Sequence, residues 1–118
     1  MTITEQVNMI AEKARLASLV MAQLPSGTKN DMLLKMASAL EDATTQLIAE
    51  NRKDLECGEQ KGLSPAMLDR LMLDQTRIKG IAKALREVAA LDDPVGEITK
   101  MKKRPNDLMV GKMRIPLG

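Results

Sequence analysis

The sequence contains no aromatic residue, since Phe, Trp and Tyr are all absent from its 118 positions. Aromatic side chains usually provide a large part of the area that a core buries. The core must therefore be built from Leu, Ile, Val, Ala and Met, and the 10 methionines suit this task because the flexible thioether fills irregular gaps. A domain of this size buries only about two-thirds of its unfolded surface. We therefore expect groups outside this chain to complete the core.

Histidine is also absent, and Cys57 is the only cysteine. These absences exclude a Cys/His or Ser/His catalytic pair, a typical zinc site and an internal disulfide within the chain. Cys57 lies among Asp54, Glu56 and Glu59, and acidic neighbours disfavour the reactive thiolate. We interpret it as a structural cysteine. The sequence predicts no catalytic, cofactor-binding or metal-binding residue in this chain.

Three further patterns have a structural explanation that is stronger than the functional one. Asp92 and Asp93 could hold a cation, but adjacent carboxylates before a proline usually form a helix-ending turn. Gly58 and Gly62 lie far from any strand-to-helix turn, so helix termination explains them better than a phosphate-binding loop does. The glutamates at predicted helix surfaces are expected to face solvent, namely Glu5, Glu12 and Glu41.

Long apolar runs are missing as well. No stretch of about 18 apolar residues exists, and the N-terminus lacks the basic region and apolar stretch of a signal peptide. We therefore expect a cytoplasmic protein with no membrane partner. Because Met1 directly precedes a predicted helix cap, we expect it to be the natural start, which disfavours a parent in which another enzyme precedes this segment.

The formal net charge of +2 is distributed unevenly along the chain. Residues 1–93 carry 12 basic and 14 acidic residues, a balance of −2, whereas residues 94–118 carry 6 and 2, a balance of +4. The basic excess is centred on Lys100 to Arg104. A solvated strand face is the simpler interpretation, and contact with phosphates is the alternative. Nucleic-acid binding favours aromatic platforms or a basic helix face, so we predict no nucleic-acid partner.

The first 93 residues show helical periodicity and clear boundary residues. Apolar residues recur every three or four positions, and capping residues precede several of these stretches. Gly62 suits the left-handed position after a helix, and Ser64 with Pro65 suits the start of the next one. The predicted helices run from a capping box at Thr2 to Gln23, from Ser26 to Glu50, from Arg52 to Lys61, from Pro65 to Leu73, and from Gln75 to Ala90 after an Asp74 cap.

The pattern changes after Pro94, which disfavours helix at the residue before it. From Met109 onward apolar and polar residues alternate with a period of two, and Pro105 with Asn106 provides a turn before them. We therefore predict a helical segment over residues 1–93 and a β-hairpin over 94–118, with the pairing strands in 97–118. The alternation continues to the last residues, so we expect the hairpin to lead into a further domain.

Four short motifs are distributed along the chain. They are LSPAMLDRL from Leu63 to Leu71, RIKGI from Arg77 to Ile81, DPVG from Asp93 to Gly96, and GKMRIPLG from Gly111 to Gly118. These motifs resemble the N-terminal part of glutamate-5-semialdehyde dehydrogenase, also called gamma-glutamyl phosphate reductase. The resemblance extends over nearly the whole chain, although the helices before Asn51 match this family in pattern more than in exact residues.

This resemblance implies a mainly α segment of an α/β aldehyde dehydrogenase-like fold, whose Rossmann-type cofactor domain is largely absent here. It implies a parent enzyme of proline biosynthesis that uses NADPH to reduce gamma-glutamyl phosphate to glutamate 5-semialdehyde and phosphate. It also implies a homo-oligomer that associates through the 97–118 hairpin. The family's nucleophilic cysteine and cofactor loops have no counterpart in these residues, so the segment alone is expected to be inactive.

Two other interpretations stay open at this point. The chain could be an autonomous helical module whose apolar faces and basic hairpin bind a partner protein. It could also bind RNA or DNA through Lys100 to Arg104, although the composition disfavours this. Cooperative unfolding of the isolated chain would favour the first, and binding that weakens steeply with salt would favour the second.

Overall fold

The computed structural model describes residues 1–117, and these contain five helices followed by a two-stranded antiparallel sheet. The order of elements confirms the predicted fold class, a helical segment that ends in a β-hairpin. The last residue of the predicted hairpin, Gly118, lies outside the described residues. The elements are α1 (Ile3–Met21), α2 (Ser26–Asp42), α3 (Thr44–Gln60), α4 (Pro65–Leu71), α5 (Gln75–Ala89), β1 (Ile98–Lys103) and β2 (Met109–Met113).

Helix α1 begins with the predicted capping box. The Glu5 amide donates to Thr2 Oγ1 at 3.2 Å, and the Thr2 amide donates to Glu5 Oε2 at 2.6 Å. Hydrogen bonds from the backbone and the hydroxyl of Thr2 lower the pKa of Glu5. No residue of α1 is buried, and its apolar side chains, Ile3, Val7 and Ile10 among them, are exposed. The helix is therefore fixed at its start by local bonds and presents an uncovered apolar stripe.

The boundary between α2 and α3 differs from the sequence prediction. We predicted one helix as far as Glu50, but α2 ends at Asp42 and α3 begins at Thr44. The Thr44 hydroxyl donates to the Glu41 carbonyl at 2.6 Å, a local bond that competes with the helical ladder and bends it. Thr45 follows it, and β-branched residues are weak helix formers. The prediction was wrong because the apolar stripe continues through this break.

The junction between α3 and α4 agrees with the sequence prediction. Gly62 has φ of +78°, and the Leu63 amide donates to the Gly58 carbonyl at 3.0 Å, which together form the glycine-ended turn that closes many helices. Ser64 then caps α4 by accepting from the Met67 amide at 3.3 Å. The sharp reversal places α4 against α3.

The chain divides into two compact units. One unit is Gly27–Leu91, and the other combines Met1–Ser26 with the segment that begins at Asp92. In the first unit α3 packs against both α4 and α5, and the buried apolar side chains are Ala37, Ile78 and Ala82. The predicted cap of α5 is present, because Asp74 accepts from the Arg77 amide at 2.7 Å. The division into residues 1–93 and 94–118 stays a prediction.

The hairpin has one irregularity in its register. Ile98 pairs with Met113 and Thr99 with Lys112, but the next pair joins Lys102 to Val110, so β1 contains one extra residue between them. This is a β-bulge, which we did not predict from the sequence. The connecting turn is closed by the Arg104 amide, which donates to the Leu108 carbonyl at 2.7 Å.

Candidate functional site

The strongest ion pair of the helical unit joins Glu41 of α2 to Arg86 of α5. The two guanidinium nitrogens donate to the two carboxylate oxygens at 2.9 Å and 2.7 Å. These bonds lower the pKa of Glu41 and raise the pKa of Arg86. We predicted Glu41 on a solvent-facing helix surface, but its side chain is half-buried and paired. A carboxylate held in its charged form by an arginine is unsuited to general acid–base catalysis, so the pair is structural.

The Glu41–Arg86 pair makes the stability of this unit depend on pH. Because the pKa of Glu41 is lowered on folding, its contribution is fully present above the ordinary carboxyl pKa of 4.5 and is lost as the pH falls through the lowered value. We expect Glu41→Gln to be less stable than the wild type at neutral pH and equally stable in acid. Thermal unfolding between pH 7 and pH 3 measures this difference. A difference that stayed constant over this range would contradict the prediction.

The remaining sequence candidates form no chemical site. Cys57 is exposed. Asp93 is a turn residue, because one of its carboxylate oxygens accepts from the Val95 amide at 3.0 Å and the other from the Ser26 hydroxyl at 2.8 Å. Among residues 1–117, no group of three or more acidic or cysteine side chains is arranged to hold a metal ion. No helix in the same range is both long enough and apolar enough to cross a bilayer.

The β-bulge sorts the hairpin side chains into two chemically different faces. Side chains alternate along a strand, so an unbroken β1 would place Lys102 and Lys112 on opposite faces. The extra residue reverses this, and Lys102, paired with Val110, lies on the same face as Lys112. Met101 moves to the other face, where it lines a shallow cavity with Ile98 and Met113. One face is therefore basic, and the other is mainly apolar, with Lys103 beside Met109 as its charged residue.

The apolar face of the hairpin is closely packed within itself but open to solvent. A Cβ atom at Gly111 would lie 3.0 Å from Met101 Cε and 3.2 Å from the Thr99 carbonyl oxygen, so glycine allows the methionine to lie across the strand. Met109 and Met113 on this face are 60% and 62% exposed. A lone two-stranded hairpin is marginally stable in water. This face has the composition of a surface that another protein surface covers.

Comparison of the whole sequence with known proteins shows which enzymes it resembles. The chain is 67% identical over all 118 residues to a gamma-glutamyl phosphate reductase from Geobacter metallireducens, and 64% identical over the same length to one from Geotalea daltonii. The chain corresponds to the N-terminal part of proteins named gamma-glutamyl phosphate reductase. It spans 28% of the length of these two relatives. No family model matches the sequence.

A solved structure has the same fold as this chain over most of its length. The chain superimposes on the crystal structure of gamma-glutamyl phosphate reductase from Thermotoga maritima with a TM-score of 0.85 and 32% sequence identity. The match covers 90% of this chain and 26% of that one, and it lies in the N-terminal part of the enzyme. The resemblance found in the sequence motifs is thus confirmed.

Sequence reasoning missed a buried polar side chain of α3. Asn51 lies on α3 and is only 5% exposed. Its Nδ2 donates to the Leu71 carbonyl at 2.9 Å, and its Oδ1 accepts from the Leu73 amide at 2.8 Å. Both bonds hold the link between α4 and α5. The only available signal was an asparagine that continues the apolar spacing of α3, and the misplaced helix boundary hid it.

Arg77 reinforces the same link from the α5 side. Its guanidinium donates to the carbonyls of Asp69 and Met72 and to the Asp69 carboxylate, the last at 3.0 Å. Asn51 and Arg77 together satisfy the backbone groups at the point where α4 ends. This junction thus brings together two of the motifs that carry the sequence resemblance, namely LSPAMLDRL and RIKGI.

Proposed function

We propose that this chain is the N-terminal scaffold of an enzyme that reduces gamma-glutamyl phosphate with NADPH to glutamate 5-semialdehyde and phosphate, in proline biosynthesis. The observation that carries the proposal is the 67% identity over the whole chain to a protein named gamma-glutamyl phosphate reductase. Identity at this level, together with the shared fold, supports a common activity for the native-length proteins.

The chemistry is proposed to lie outside residues 1–117. The described residues contain no glycine-rich turn from a strand into a helix, the arrangement that binds dinucleotides, so they do not fit NADPH. Cys57 is exposed, and the sequence holds no histidine to activate it. In this proposal the segment provides helix faces and a hairpin against which the catalytic parts of the enzyme pack.

The activity proposal is tested by comparing two lengths of the same protein. We expect the native-length protein to oxidise glutamate 5-semialdehyde in the presence of phosphate and NADP⁺, which is the reverse reaction followed by NADPH absorbance. The 118-residue chain should give no turnover above buffer. Activity of the short chain would overturn its proposed role as an inactive scaffold, and a native-length protein without activity would overturn the proposed reaction.

We further propose that the apolar face of the hairpin is a contact between subunits of a homo-oligomer. Four of its residues are large, apolar and exposed, namely Ile98, Met101, Met109 and Met113. Burying such side chains contributes about 25 cal/mol for each Å² removed from water, so covering this face favours association.

Charge introduced on this face should separate the subunits. We expect Met109→Glu combined with Met113→Glu to reduce the molar mass of the native-length protein measured by light scattering, because carboxylates in an apolar interface lose their hydration. Lys102→Glu on the basic face changes the charge by the same amount, so it is the matched control and should leave the mass unchanged. An unchanged mass for the double variant would refute the contact.

The alternative of an autonomous helical interaction module is distinguished by the size of the native protein. A stable cellular species of 13.0 kDa would favour this module, and a much heavier species would favour the reductase. Cytoplasmic location and the lack of nucleic-acid binding stay predictions.

A further inference from the structure

The basic face of the hairpin encloses a cavity of its own. Its volume is about 260 Å³, and it is lined by Val110, Gly111 and four basic residues. The basic residues are Lys100, Lys102, Arg104 and Lys112. They come from both strands and from the turn that joins them, and neighbouring strands lie about 4.8 Å apart. This cavity shares Gly111 and Lys112 with the shallow cavity of the apolar face, whereas Lys100, Lys102 and Arg104 line only the basic one.

These four cations differ from the other two of the hairpin in having no acidic partner. Lys103 pairs with Asp107 at 3.0 Å, and Arg114 pairs with Glu97 at 3.5 Å. Within residues 1–117, none of the four cavity residues makes an ion pair. The only two acidic residues of the segment from 94 onward are thus paired with cations that do not line the cavity. The positive charge of the cavity is left uncompensated.

The backbone is distorted where the cations gather. Lys100 has φ of +53°, a left-handed conformation that is unfavourable for a lysine by about 1 kcal/mol or more. It lies within the bulge that places Lys102 and Lys112 on the same face. In a regular hairpin the like charges would be divided between two faces, which would reduce their repulsion. The structure instead concentrates them, and bulges are over-represented beside functional sites.

We propose that this cavity binds an oligophosphate group, an anion with two or three linked phosphates. A single exposed ion pair contributes at most about 1 kcal/mol, so a lone phosphate gains little here. A linked chain of phosphates can contact cations on both strands at once, and lysine ammonium groups bind phosphate oxygens strongly. The absence of aromatic side chains disfavours a polynucleotide with stacked bases. The site goes beyond the proposed reductase activity.

The test is calorimetric titration of the native-length protein with inorganic tripolyphosphate at low ionic strength, without gamma-glutamyl phosphate or NADPH. We expect saturable binding with one site per chain, and at least tenfold weaker binding of inorganic phosphate. Because surface charges are screened over about 10 Å at 0.1 M salt, the affinity should fall as salt is added. Absence of tripolyphosphate binding would overturn the proposal whether or not the protein is an active reductase.

Two neighbouring lysines provide a matched pair of variants. Lys102→Gln and Lys103→Gln remove the same charge from adjacent positions on opposite faces of β1. We expect Lys102→Gln combined with Lys112→Gln to weaken tripolyphosphate binding about tenfold, whereas Lys103→Gln combined with Arg114→Gln, which removes the same total charge outside the cavity, changes it less than twofold. Equal losses for both would show binding to general positive charge and would overturn the site. Tighter binding of a single-stranded DNA oligonucleotide, increasing with its length, would also overturn it in favour of nucleic-acid binding.

Discussion

Replacing Ile78 by alanine is expected to destabilise the helical unit by about 3 kcal/mol, since removal of a buried aliphatic side chain leaves a cavity that surrounding atoms fill only partly. Ile78 is the largest fully buried side chain among the described residues and is 1% exposed. It lies on α5, which packs against α3. With no aromatic residue available, few other side chains can compensate for the lost volume. Its removal therefore weakens the centre of this unit.

Hydrogen exchange of the α5 amides in the native-length protein measures this effect as a loss of opening free energy. Ile81→Ala is the matched control, because Ile81 lies one turn further along the same helix and is 45% exposed. We expect this control to change the opening free energy by less than about 1 kcal/mol, since alanine also has the higher helix propensity. Equal losses for the two variants would show that burial at Ile78 does not hold the unit together.

The contrast between these two isoleucines shows how far periodicity predicts a core. The apolar spacing of α5 predicts one buried side made of Ile78, Ile81, Ala82, Leu85, Val88 and Ala89. Only Ile78 and Ala82 of these are buried in this structure, and Ile81 and Val88 are exposed. The apolar stripe of a helix is wider than the area that one neighbouring helix covers. Sequence pattern identifies the stripe, and only the neighbouring element decides which part of it is covered.

Local signals predicted the helix ends more reliably than the helix interiors. Thr2, Gly62, Ser64 and Asp74 each act within a few residues, so their roles can be predicted from the adjacent sequence. The break at Thr44 has no glycine or proline to mark it. The apolar stripe runs through it without interruption, which is why the periodicity concealed the boundary.

The bulge in β1 lies beyond sequence reasoning for a different reason. Lys100 and Met101 both face Gly111, and this follows from where Thr99 and Lys102 find partners on the other strand. Pairing between strands is set by turn and register together, and a shift of one residue reverses every side chain beyond it. The cluster of basic residues was evident in the sequence, whereas its concentration on one face required the structure.

Asn51→Ala is expected to destabilise the same unit by about 2–4 kcal/mol. The substitution leaves the Leu73 amide and the Leu71 carbonyl without partners in a part-buried position, and each unsatisfied group costs about 1–3 kcal/mol. Exchange of the Leu73 amide proton should accelerate most, because Asn51 Oδ1 is its acceptor at 2.8 Å. Faster exchange at this one amide distinguishes loss of the Asn51 hydrogen bonds from a general destabilisation of the unit.

Two further variants test whether loss of the two Asn51 hydrogen bonds causes the destabilisation. Gln60→Ala, on the exposed end of the same helix, should change stability by less than about 0.5 kcal/mol. Asn51→Asp keeps the acceptor for Leu73 and loses the donor to Leu71, so Leu73 should stay protected while the link between α4 and α5 loosens. If the Leu73 amide stayed protected in Asn51→Ala, another group would hold this turn. Asn51 would then contribute through packing alone. The link between α4 and α5 would depend instead on the hydrogen bonds of Arg77 to Asp69 and Met72.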